Sequence, residues 1–401
     1  MVTTTHPCND PRSTASEGAA FDGVVRVSVE GYYGSGVLLQ GGRAVLTAAH
    51  LFERGLDGVR VRFEVGGQVW TQTAREVLVH PEYDAEDNNR DLALVWLEGA
   101  APVGAARHGL YREADEVGQV FTLAGYGLPG TGEEGAWEDY DGEPLRLQAG
   151  NRFDADVGVL VDAVGGSLAW APEPGTQLIA DFDNGASAHD ASGILMGRYD
   201  QGLGPEEGMI APGDSGGPAL IGDRVAGIAS YLASLSRHGV EPDVDGLANS
   251  SFGEVMAFQR VSREQEWIDR ALRSRHPDAP TRPGEVEQAV TEGDDGTSLA
   301  WFLLEFTGVR ETPDAWVSVD FETRDGTAEA GSDYLPVSGR LVLYPGEDHA
   351  AIPVEVVGDT RPEPDETFHL AVFNPEGGGF GPGVEELIAT RTIVDEDGFW
   401  G

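Results

Sequence analysis

Apolar and polar residues alternate along most of this 401-residue chain, and apolar stripes at helical spacing are rare. Short alternating or wholly apolar runs between glycine- and proline-containing turns predict β-strands. The first series of such runs covers Val24–Val29, Ser35–Leu39, Val59–Val65, Val69–Val77 and Leu92–Leu97. We expect these strands to form one β-barrel, and we expect the chain as a whole to be all-β.

A second series of runs predicts a second barrel. Its members are Val120–Ala124, Leu145–Leu147, Val157–Val161, Ala219–Ile221, Val225–Tyr231 and Val255–Val261. A closing helix should follow, because Trp267, Ile268, Ala271 and Leu272 form one apolar stripe at helical spacing. Ser262 followed by Gln265 has the pattern of a capping box at its start.

The pattern changes after this helix. Residues 276–284 carry three prolines without periodicity and predict a semi-rigid extended linker. Clean alternation then returns in Val317–Phe321, Leu341–Leu343, Ile352–Val356 and Phe368–Val372, which predicts an antiparallel β-sandwich. The predicted organisation is therefore a leader over residues 1–20, a two-barrel domain over 21–275, the linker, and a sandwich domain over 285–398.

The charge is strongly acidic, with 69 acidic residues against 26 basic ones and a formal net charge of −43. Every basic residue is Arg. Nucleic acids and anionic membranes carry the same sign, so both are disfavoured as partners. The acidity fits calcium binding, water retention in high salt or a genomic bias, and the composition does not separate these. No apolar run is long enough for a transmembrane helix, so no membrane insertion is expected.

Cys8 is the only cysteine, so the chain has no intrachain disulfide, and its core, or its core with a metal, must hold the fold. The leader is polar and lacks the apolar segment of a signal peptide. Two locations fit this pattern, the cytoplasm or, for a processed mature form, the outside of the cell. We expect secretion.

The strongest chemical signal is Gly213–Pro218, which reads Gly-Asp-Ser-Gly-Gly-Pro. A serine hydroxyl needs a neighbouring base to become a nucleophile, and its attack on an amide creates an oxyanion that needs backbone N–H donors. The flanking glycines let such donors converge on Ser215. Two partners precede it: His50, which follows a predicted strand, and Asp91, which opens an apolar one.

The string at Ser215 and the order His50, Asp91, Ser215 resemble the trypsin/chymotrypsin-like serine peptidases. The resemblance implies two barrels with the site in the cleft between them. It also implies that Ser215 attacks, that His50 carries the proton and that Asp91 orients the imidazole. The N–H groups of Gly213 and Ser215 would form the oxyanion hole.

The same resemblance places the specificity pocket. Its base lies six positions before the nucleophile, at Met209, and its wall at Ser230, Tyr231 and Leu232, which should also pair with substrate backbone. Met209 cannot neutralise a buried cation, so we expect cleavage after apolar residues.

The activation partner of Asp214 departs from the family. Active members pair this Asp with a new N-terminal Ile or Val, and no Ile-Val-Gly-Gly-like segment precedes Val24. Cleavage between Arg12 and Ser13 is one alternative, and an internal donor for Asp214 is another.

The segment after residue 285 resembles the Calx-beta domains. Three stretches carry the resemblance: Asp325–Ala328, Ala330–Tyr334 and Pro364–Phe368. It implies calcium as the cofactor and the ligands Glu292, Asp333, Asp359, Glu363, Glu366, Asp395 and Asp397. The alternative is a solvated acidic rim. A further acidic stretch, Asp181–Gly185 with Asp190 nearby, is loosely similar to a calcium loop and is expected in an insertion of the second barrel.

The sequence thus predicts a serine endopeptidase with a calcium-binding accessory domain, acting on protein or peptide substrates. Two alternatives stay open: a catalytically latent peptidase-like protein for binding or adhesion, and a structural module whose peptidase part cleaves only itself. The oligomeric state has no signal in the sequence.

Overall fold

The computed structural model describes residues 2–4, 10, 12–15, 18, 20–200 and 202–397, with the side chains of residues 2–4, 167 and 205 left aside. The chain divides into two compact units. The first covers the chain up to Trp267 apart from Gln40–Gly42 and Ala100–Val103, and the second covers those two segments and the chain from Ile268 onward. Each unit is described by itself.

The strands of the first unit are β1 Val2–Thr4, β2 Val24–Val29, β3 Tyr32–Leu38, β4 Ala44–Thr47, β5 Arg60–Val65, β6 Gln68–Val79, β7 Ala93–Leu97, β8 Gly109–Leu110, β9 Val120–Gly125, β10 Gly130–Thr131, β11 Gly135–Ala136, β12 Leu147–Arg152, β13 Ala155–Asp156, β14 Gln177–Phe182, β15 Gly208–Ile210, β16 Pro218–Ile221, β17 Arg224–Ala233 and β18 Glu254–Arg260. The helices are α1 Val157–Val164, α2 Ala191–Met196 and α3 Val261–Arg273.

The first barrel is closed, with the strand order β2-β3-β4-β7-β6-β5. Burial alternates along β2 and the first part of β5, as expected from the sequence, whereas every residue of β4 and β7 is buried. A second, eight-stranded sheet has the order β12-β9-β16-β17-β18-β14-β13, and β8 pairs with β17. A core of phenylalanine, leucine and alanine side chains lies against this sheet. The all-β, chymotrypsin-like prediction is therefore confirmed.

One predicted strand of the second barrel is wrong. Residues 157–161 belong to helix α1, not to a strand. The Asp156 side chain caps this helix by accepting the N–H of Gly158 at 2.8 Å. Val157 and Leu160, three residues apart, are the buried positions, which is helical spacing.

The acidic stretch predicted to lie in an insertion begins inside the sheet of the second barrel. Asp181 and Phe182 end strand β14, which pairs with β18 throughout its length. Asp181 is buried, and its Oδ2 accepts the N–H of Ser192 at 2.7 Å. The carboxylate therefore connects a core strand to the start of helix α2.

The closing helix is present, but its predicted capping box is wrong. Helix α3 begins at Val261, so Ser262 lies inside the first turn. The Ser262 hydroxyl bonds to Glu116, and the Gln265 amide donates to the carbonyl of Ser262 at 2.7 Å. A distant carboxylate thus takes the hydroxyl that the local pattern had assigned to the cap.

Parts of the predicted leader belong to the fold. Strand β1 pairs antiparallel with β15, with Thr3 opposite Met209. Ser13 is buried, and its carbonyl accepts the N–H of Gln148 at 2.9 Å. A cut between Arg12 and Ser13 would therefore fall in a packed segment. Cys8 lies outside the described residues, as does Gly398 at the end of the predicted second domain.

The second unit contains β19 Ala289–Thr291, β20 Thr297–Glu305, β21 Val317–Asp325, β22 Ser338–Leu343, β23 His349–Val357, β24 Glu366–Glu376 and β25 Glu386–Val394. Five of them form a sheet in the order β19-β25-β24-β21-β22, and β20 pairs with β23. One hydrophobic cluster joins both sheets, with Phe302 and Ile352 from the pair and Phe321 and Phe368 from the larger sheet. This is the predicted antiparallel sandwich.

Within the described chain, no helix combines the length and the apolar character that crossing a lipid bilayer requires.

Candidate active site

His50 and Asp91 lie at the same end of two paired strands. Strands β4 and β7 run antiparallel, with Thr47 opposite Ala93. His50 follows Thr47 by three residues, in the 3₁₀ turn Ala49–Phe52, and Asp91 precedes Ala93 by two. The register of the barrel therefore brings together two side chains that are 41 positions apart in sequence.

The contact between these two residues is double. The Nδ1 of His50 lies 2.7 Å from Asp91 Oδ2, and the backbone N–H of His50 donates to Asp91 Oδ1 at 2.8 Å. Asp91 is fully buried. Burial lowers the pKa of the His50 imidazole, but the charge of Asp91 and its hydrogen bond outweigh this, so the pKa is raised above its ordinary value.

Ser230 is a third member of this group. Its hydroxyl donates to Asp91 Oδ2 at 2.6 Å, and the Gln259 amide donates to the Ser230 hydroxyl at 3.2 Å. The family resemblance predicts a role for Ser230 only in the pocket wall, through its backbone. No local pattern signals its bond to Asp91, because 139 positions separate the two residues.

The nucleophile loop packs directly against the turn that carries His50. The carbonyl of Ser215 accepts the N–H of Ser35 at 2.8 Å. Gly216 has φ 83°, and a Cβ there would lie 2.1 Å from Thr47 Oγ1 and 2.8 Å from the backbone nitrogen of Ala48. Only glycine fits this position. The loop at Ser215 therefore packs against Ala48, which precedes His50 by two residues.

Hydrogen bonds fix the peptide planes that precede Ser215. The Leu128 N–H donates to the Pro212 carbonyl at 2.8 Å. In a trans peptide the N–H points away from the carbonyl, so this bond directs the N–H of Gly213 to the opposite side. Within the described residues, the N–H groups of Gly213 and Ser215 have no acceptor. They are available to a ligand oxygen.

Two backbone N–H groups donate to the Asp214 carboxylate. Its Oδ1 accepts the N–H of Gly127 at 3.0 Å, and its Oδ2 accepts the N–H of Ala211 at 2.9 Å. The side chain is buried, and burial raises the pKa of its carboxyl. The carboxyl thus links the loop that carries Ser215 to the backbone at Gly127 and Ala211.

The predicted pocket residues lie in apolar surroundings. Met209 is fully buried in the core cluster that also contains Ile210 and Phe252, and Leu232 packs on its edge. The Tyr231 hydroxyl donates to Gln177 Oε1 at 2.6 Å and accepts the Trp170 indole N–H at 3.1 Å, so its polar end is already bonded.

Six of the seven predicted calcium ligands form two clusters in the second unit. Glu292, Asp359 and Asp397 each offer a carboxylate oxygen, and these oxygens lie within 4.8 Å of one another. Asp333, Glu363 and Glu366 form the other cluster at the same spacing.

The seventh predicted ligand, Asp395, forms a hydrogen bond with one member of each cluster. It accepts the N–H of Asp397 at 2.6 Å and also bonds the N–H of Glu363.

The first cluster has oxygens that no protein donor satisfies. Glu292 Oε1 and Asp397 Oδ2 are buried atoms without a hydrogen-bond partner. Burial and neighbouring carboxylates, Asp359 first among them, raise the pKa of Glu292 to about 7. In the second cluster, burial and then Asp333 raise the pKa of Glu366 to about 7. Converging carboxylates with unsatisfied oxygens fit a hard divalent cation.

Comparison with known proteins gives two family matches. The Trypsin family model matches residues 12–140, and the Calx-beta domain model matches residues 285–397. Both resemblances inferred from the sequence motifs are confirmed, in the order in which the motifs occur.

Similar curated proteins include sodium/calcium exchangers. Sodium/calcium exchanger 2 of Mus musculus is 30% identical over 204 residues, which is 44% of this chain and 20% of that protein. Sodium/calcium exchanger Calx of Drosophila melanogaster is 40% identical over 85 residues, which is 20% of this chain and 8% of that protein. The chain thus spans a fifth or less of the length of these relatives.

Among solved structures, a similar chain is mouse neuropsin, a serine protease expressed in the limbic system of the brain. It is 18% identical, with a TM-score of 0.46, and the match covers 65% of this chain and 98% of that one.

Proposed function

Since the chain carries a trypsin domain followed by a Calx-beta domain, we propose that it is a serine endopeptidase with a calcium-binding accessory domain. It hydrolyses peptide bonds of protein or peptide substrates through an acyl-enzyme. The net charge of −43 disfavours nucleic acid as a partner.

In the proposed reaction, Ser215 Oγ attacks the carbonyl carbon of the scissile peptide bond. The neutral imidazole of His50 takes the hydroxyl proton, and the electron pair of the carbonyl moves to its oxygen. When the tetrahedral intermediate collapses, the C–N bond breaks and His50 returns the proton to the leaving amine. Water then repeats the sequence on the ester and releases Ser215.

Asp91 and Ser230 act through the imidazole. Asp91 accepts a hydrogen bond from the Nδ1–H of His50, which leaves the other ring nitrogen available to Ser215, and its charge stabilises the imidazolium that forms. Ser230 is a positioning residue, since its hydroxyl holds the Asp91 oxygen that faces His50. The N–H groups of Gly213 and Ser215 stabilise the oxyanion.

The observation that carries this proposal is the His50–Asp91 pair, with Nδ1 and Oδ2 2.7 Å apart and Asp91 fully buried, on the barrel wall that packs against the Ser215 loop. The N–H groups of Gly213 and Ser215, which have no acceptor among the described residues, support it independently, because an oxyanion hole requires donors without a protein acceptor.

For specificity, we propose cleavage after apolar residues. Support comes from Met209 and its apolar neighbours Ile210 and Phe252. A cationic side chain placed there would be desolvated without a counter-charge. A peptide library should show apolar residues before the cleaved bond, and a preference for Arg or Lys would contradict the assignment.

A fluorophosphonate probe tests the catalytic proposal. It should label the full-length chain, and the Ser215→Ala chain should stay unlabelled, because the probe reacts only with an activated serine. Wild-type chain that has not been exposed to the probe should cleave casein added in trans, and labelled protein should not. If the wild-type chain folds but takes no label with or without calcium, the latent binding protein is the correct reading instead.

The second unit is proposed to bind calcium through Glu292, Asp359 and Asp397, through Asp333, Glu363 and Glu366, and through Asp395. A bound cation would neutralise carboxylates that otherwise repel one another, so binding would stabilise this domain. We also propose secretion, in keeping with the extracellular setting typical of trypsin-like domains. Recovery of the protein in culture medium instead of cell extract would test this.

A further inference from the structure

A loop of the first unit holds two buried carboxylates. It runs over twelve residues from Asp243 to Glu254 and leads into strand β18. Asp243 is 8% exposed and Glu254 is 0% exposed. Neither the comparisons nor the proposed peptidase chemistry uses these residues, so their burial needs its own explanation.

One hydroxyl holds the two carboxylates close together. Ser251 Oγ lies 3.1 Å from Asp243 Oδ1 and 3.3 Å from Glu254 Oε1. The N–H groups of Ser251 and Asn249 also donate to Glu254 Oε1, at 2.8 and 2.9 Å. These bonds use one oxygen of each carboxylate and fix the direction of the other.

Four other side-chain oxygens of the loop have no partner in the part of the chain that the structure describes. Asp243 Oδ2, Glu254 Oε2, Asn249 Oδ1 and Ser250 Oγ are buried atoms without a hydrogen bond there. Ser250 is 0% exposed and has φ 73°, a left-handed conformation that serine rarely adopts. A buried oxygen without a donor costs free energy, and four of them in one loop call for a ligand.

No basic side chain neutralises the pair. Across the described residues, neither Asp243 nor Glu254 forms an ion pair with an Arg or a His. His189, which lies close by, bonds the carbonyl of Pro242 through its Nδ1 at 2.7 Å. Burial raises the pKa of Glu254 to about 7. Backbone hydrogen bonds from Asn249 and Ser251 oppose this shift, and the charge of Asp243 adds to it.

We propose that Asp243 and Glu254, with Asn249 and Ser250, bind one divalent cation of the calcium class in the peptidase unit. All candidate donors are oxygens, which suits hard cations and not zinc or copper. The site is separate from the carboxylate clusters of the second unit, and it does not depend on the proposed hydrolytic activity.

The spacing of the loop supports this choice. An EF-hand loop is also twelve residues long, with an Asp first and a bidentate Glu last. Asp243 and Glu254 occupy those positions, and Asp245 and Asn249 stand at the third and seventh. The glycine falls at the fourth position, Gly246, instead of the sixth, so the loop is a different structure that offers similar ligands.

Hydrogen bonds connect the loop from Asp243 to Glu254 with a segment next to the proposed active site. The Ala136 N–H donates to the Asn249 carbonyl, and the Phe252 N–H donates to the Gly132 carbonyl, both at 2.7 Å. The hairpin of β10 and β11 therefore connects the loop to the segment whose Leu128 fixes Pro212. Phe252 also packs in the cluster of Met209, so a bound cation would stiffen the predicted pocket wall.

Calcium stoichiometry tests the site in the full chain carrying Ser215→Ala, which prevents self-cleavage. After chelator treatment, equilibrium dialysis should show one calcium fewer per chain in Asp243→Asn and in Glu254→Gln than in the parent. The control is Glu241→Gln, which removes an exposed carboxylate from the same segment and should bind as the parent does. Equal stoichiometry in the parent and both variants would overturn the proposal.

A second measurement needs no change in the loop. Leu247 is exposed, so an added protease should cut the Ser215→Ala chain near it when calcium is absent. Calcium at a hundred times its Kd should slow this cut about 100-fold, because binding opposes local opening. Cleavage at the same rate with and without calcium would also overturn the proposal, even if a variant fails to fold.

Discussion

The Ser230 hydroxyl and the Nδ1 of His50 both form hydrogen bonds with Oδ2 of Asp91, at 2.6 and 2.7 Å. The hydroxyl holds this carboxylate in the plane where the imidazole needs it. Ser230→Ala should therefore lower kcat about 10- to 100-fold with little change in KM, the range expected for a hydrogen bond to a charged group.

The pH profile separates this positioning role from a structural one. Without the Ser230 donor, Asp91 keeps more of its charge for His50, so the acid limb of kcat should move to higher pH. Ser187→Ala, which removes an exposed hydroxyl elsewhere, is the control and should leave kcat and the limb unchanged. Loss of activity with an unmoved limb would contradict the assigned role.

The acid limb itself is a prediction. His50 must be neutral to accept a proton, and its pKa is raised, so kcat/KM should fall as the pH drops through a midpoint above about 6.5. NMR titration of the His50 imidazole in the Ser215→Ala chain should give the same midpoint. Asp91→Asn removes the charge that raises the pKa and should lower that midpoint. An imidazole that titrates at or below the ordinary value would be evidence against the pairing.

Gly216→Ala should disable the site by crowding. The new methyl group would clash with the Thr47 side-chain oxygen and the Ser35 backbone oxygen. The backbone at this position is also in a left-handed conformation, which alanine rarely adopts. We expect a loss of about 2–5 kcal/mol in the free energy of unfolding, together with loss of probe labelling. Gly222→Ala is the matched control, because Gly222 also has positive φ but nothing lies within 4 Å of its added Cβ. It should cost only about 1–2 kcal/mol and keep the label. Equal losses in the free energy of unfolding for both variants would show that backbone strain alone, and not the contact with Thr47 and Ser35, destabilises the protein.

Calcium should stabilise the second unit through its carboxylate clusters. At a hundred times its Kd, one bound calcium adds about 2.7 kcal/mol to the free energy of unfolding. Asp359→Asn should remove most of the gain from the cluster with Glu292, as followed by denaturant unfolding with and without chelator. Glu385→Gln, an exposed carboxylate outside the clusters, should keep the full gain. If Asp359→Asn unfolds like the parent under both conditions, the cluster does not bind calcium.

The sequence predicts the barrel strands well because alternation reports directly which face of a strand is buried. The same signal fails at Val157–Val164, where valines suit strand and helix alike and the Asp156 cap decides. The acidic end of strand β14 resembles a loop, so the pattern does not predict this strand. The Asp156 cap is a local interaction with Gly158, whereas the Asp181 carboxylate bonds Ser192 eleven positions away, which the local pattern does not show.

For the proposed site, the sequence predicts the reacting groups but not their supports. His50, Asp91 and Ser215 stand in motifs whose chemistry is specific. Ser230 has no comparable motif, and the loop from Asp243 to Glu254 matches the spacing of a calcium loop only in part. The bond from Ser230 to Asp91 depends on strand register, and a polar residue in a strand looks the same whether it faces water or a buried carboxylate.

The site is assembled from segments that are far apart in the chain. Ser35 bonds the carbonyl of Gly213 across 178 positions, Asp214 accepts Gly127 across 87, and Ser230 reaches Asp91 across 139. Contacts between distant segments form late in folding. A growing or half-folded chain therefore has Ser215 without its proposed base or donors. The proposed hydrolytic activity would arise only with the completed fold, so a nascent chain would not cleave its neighbours while they are still unfolded.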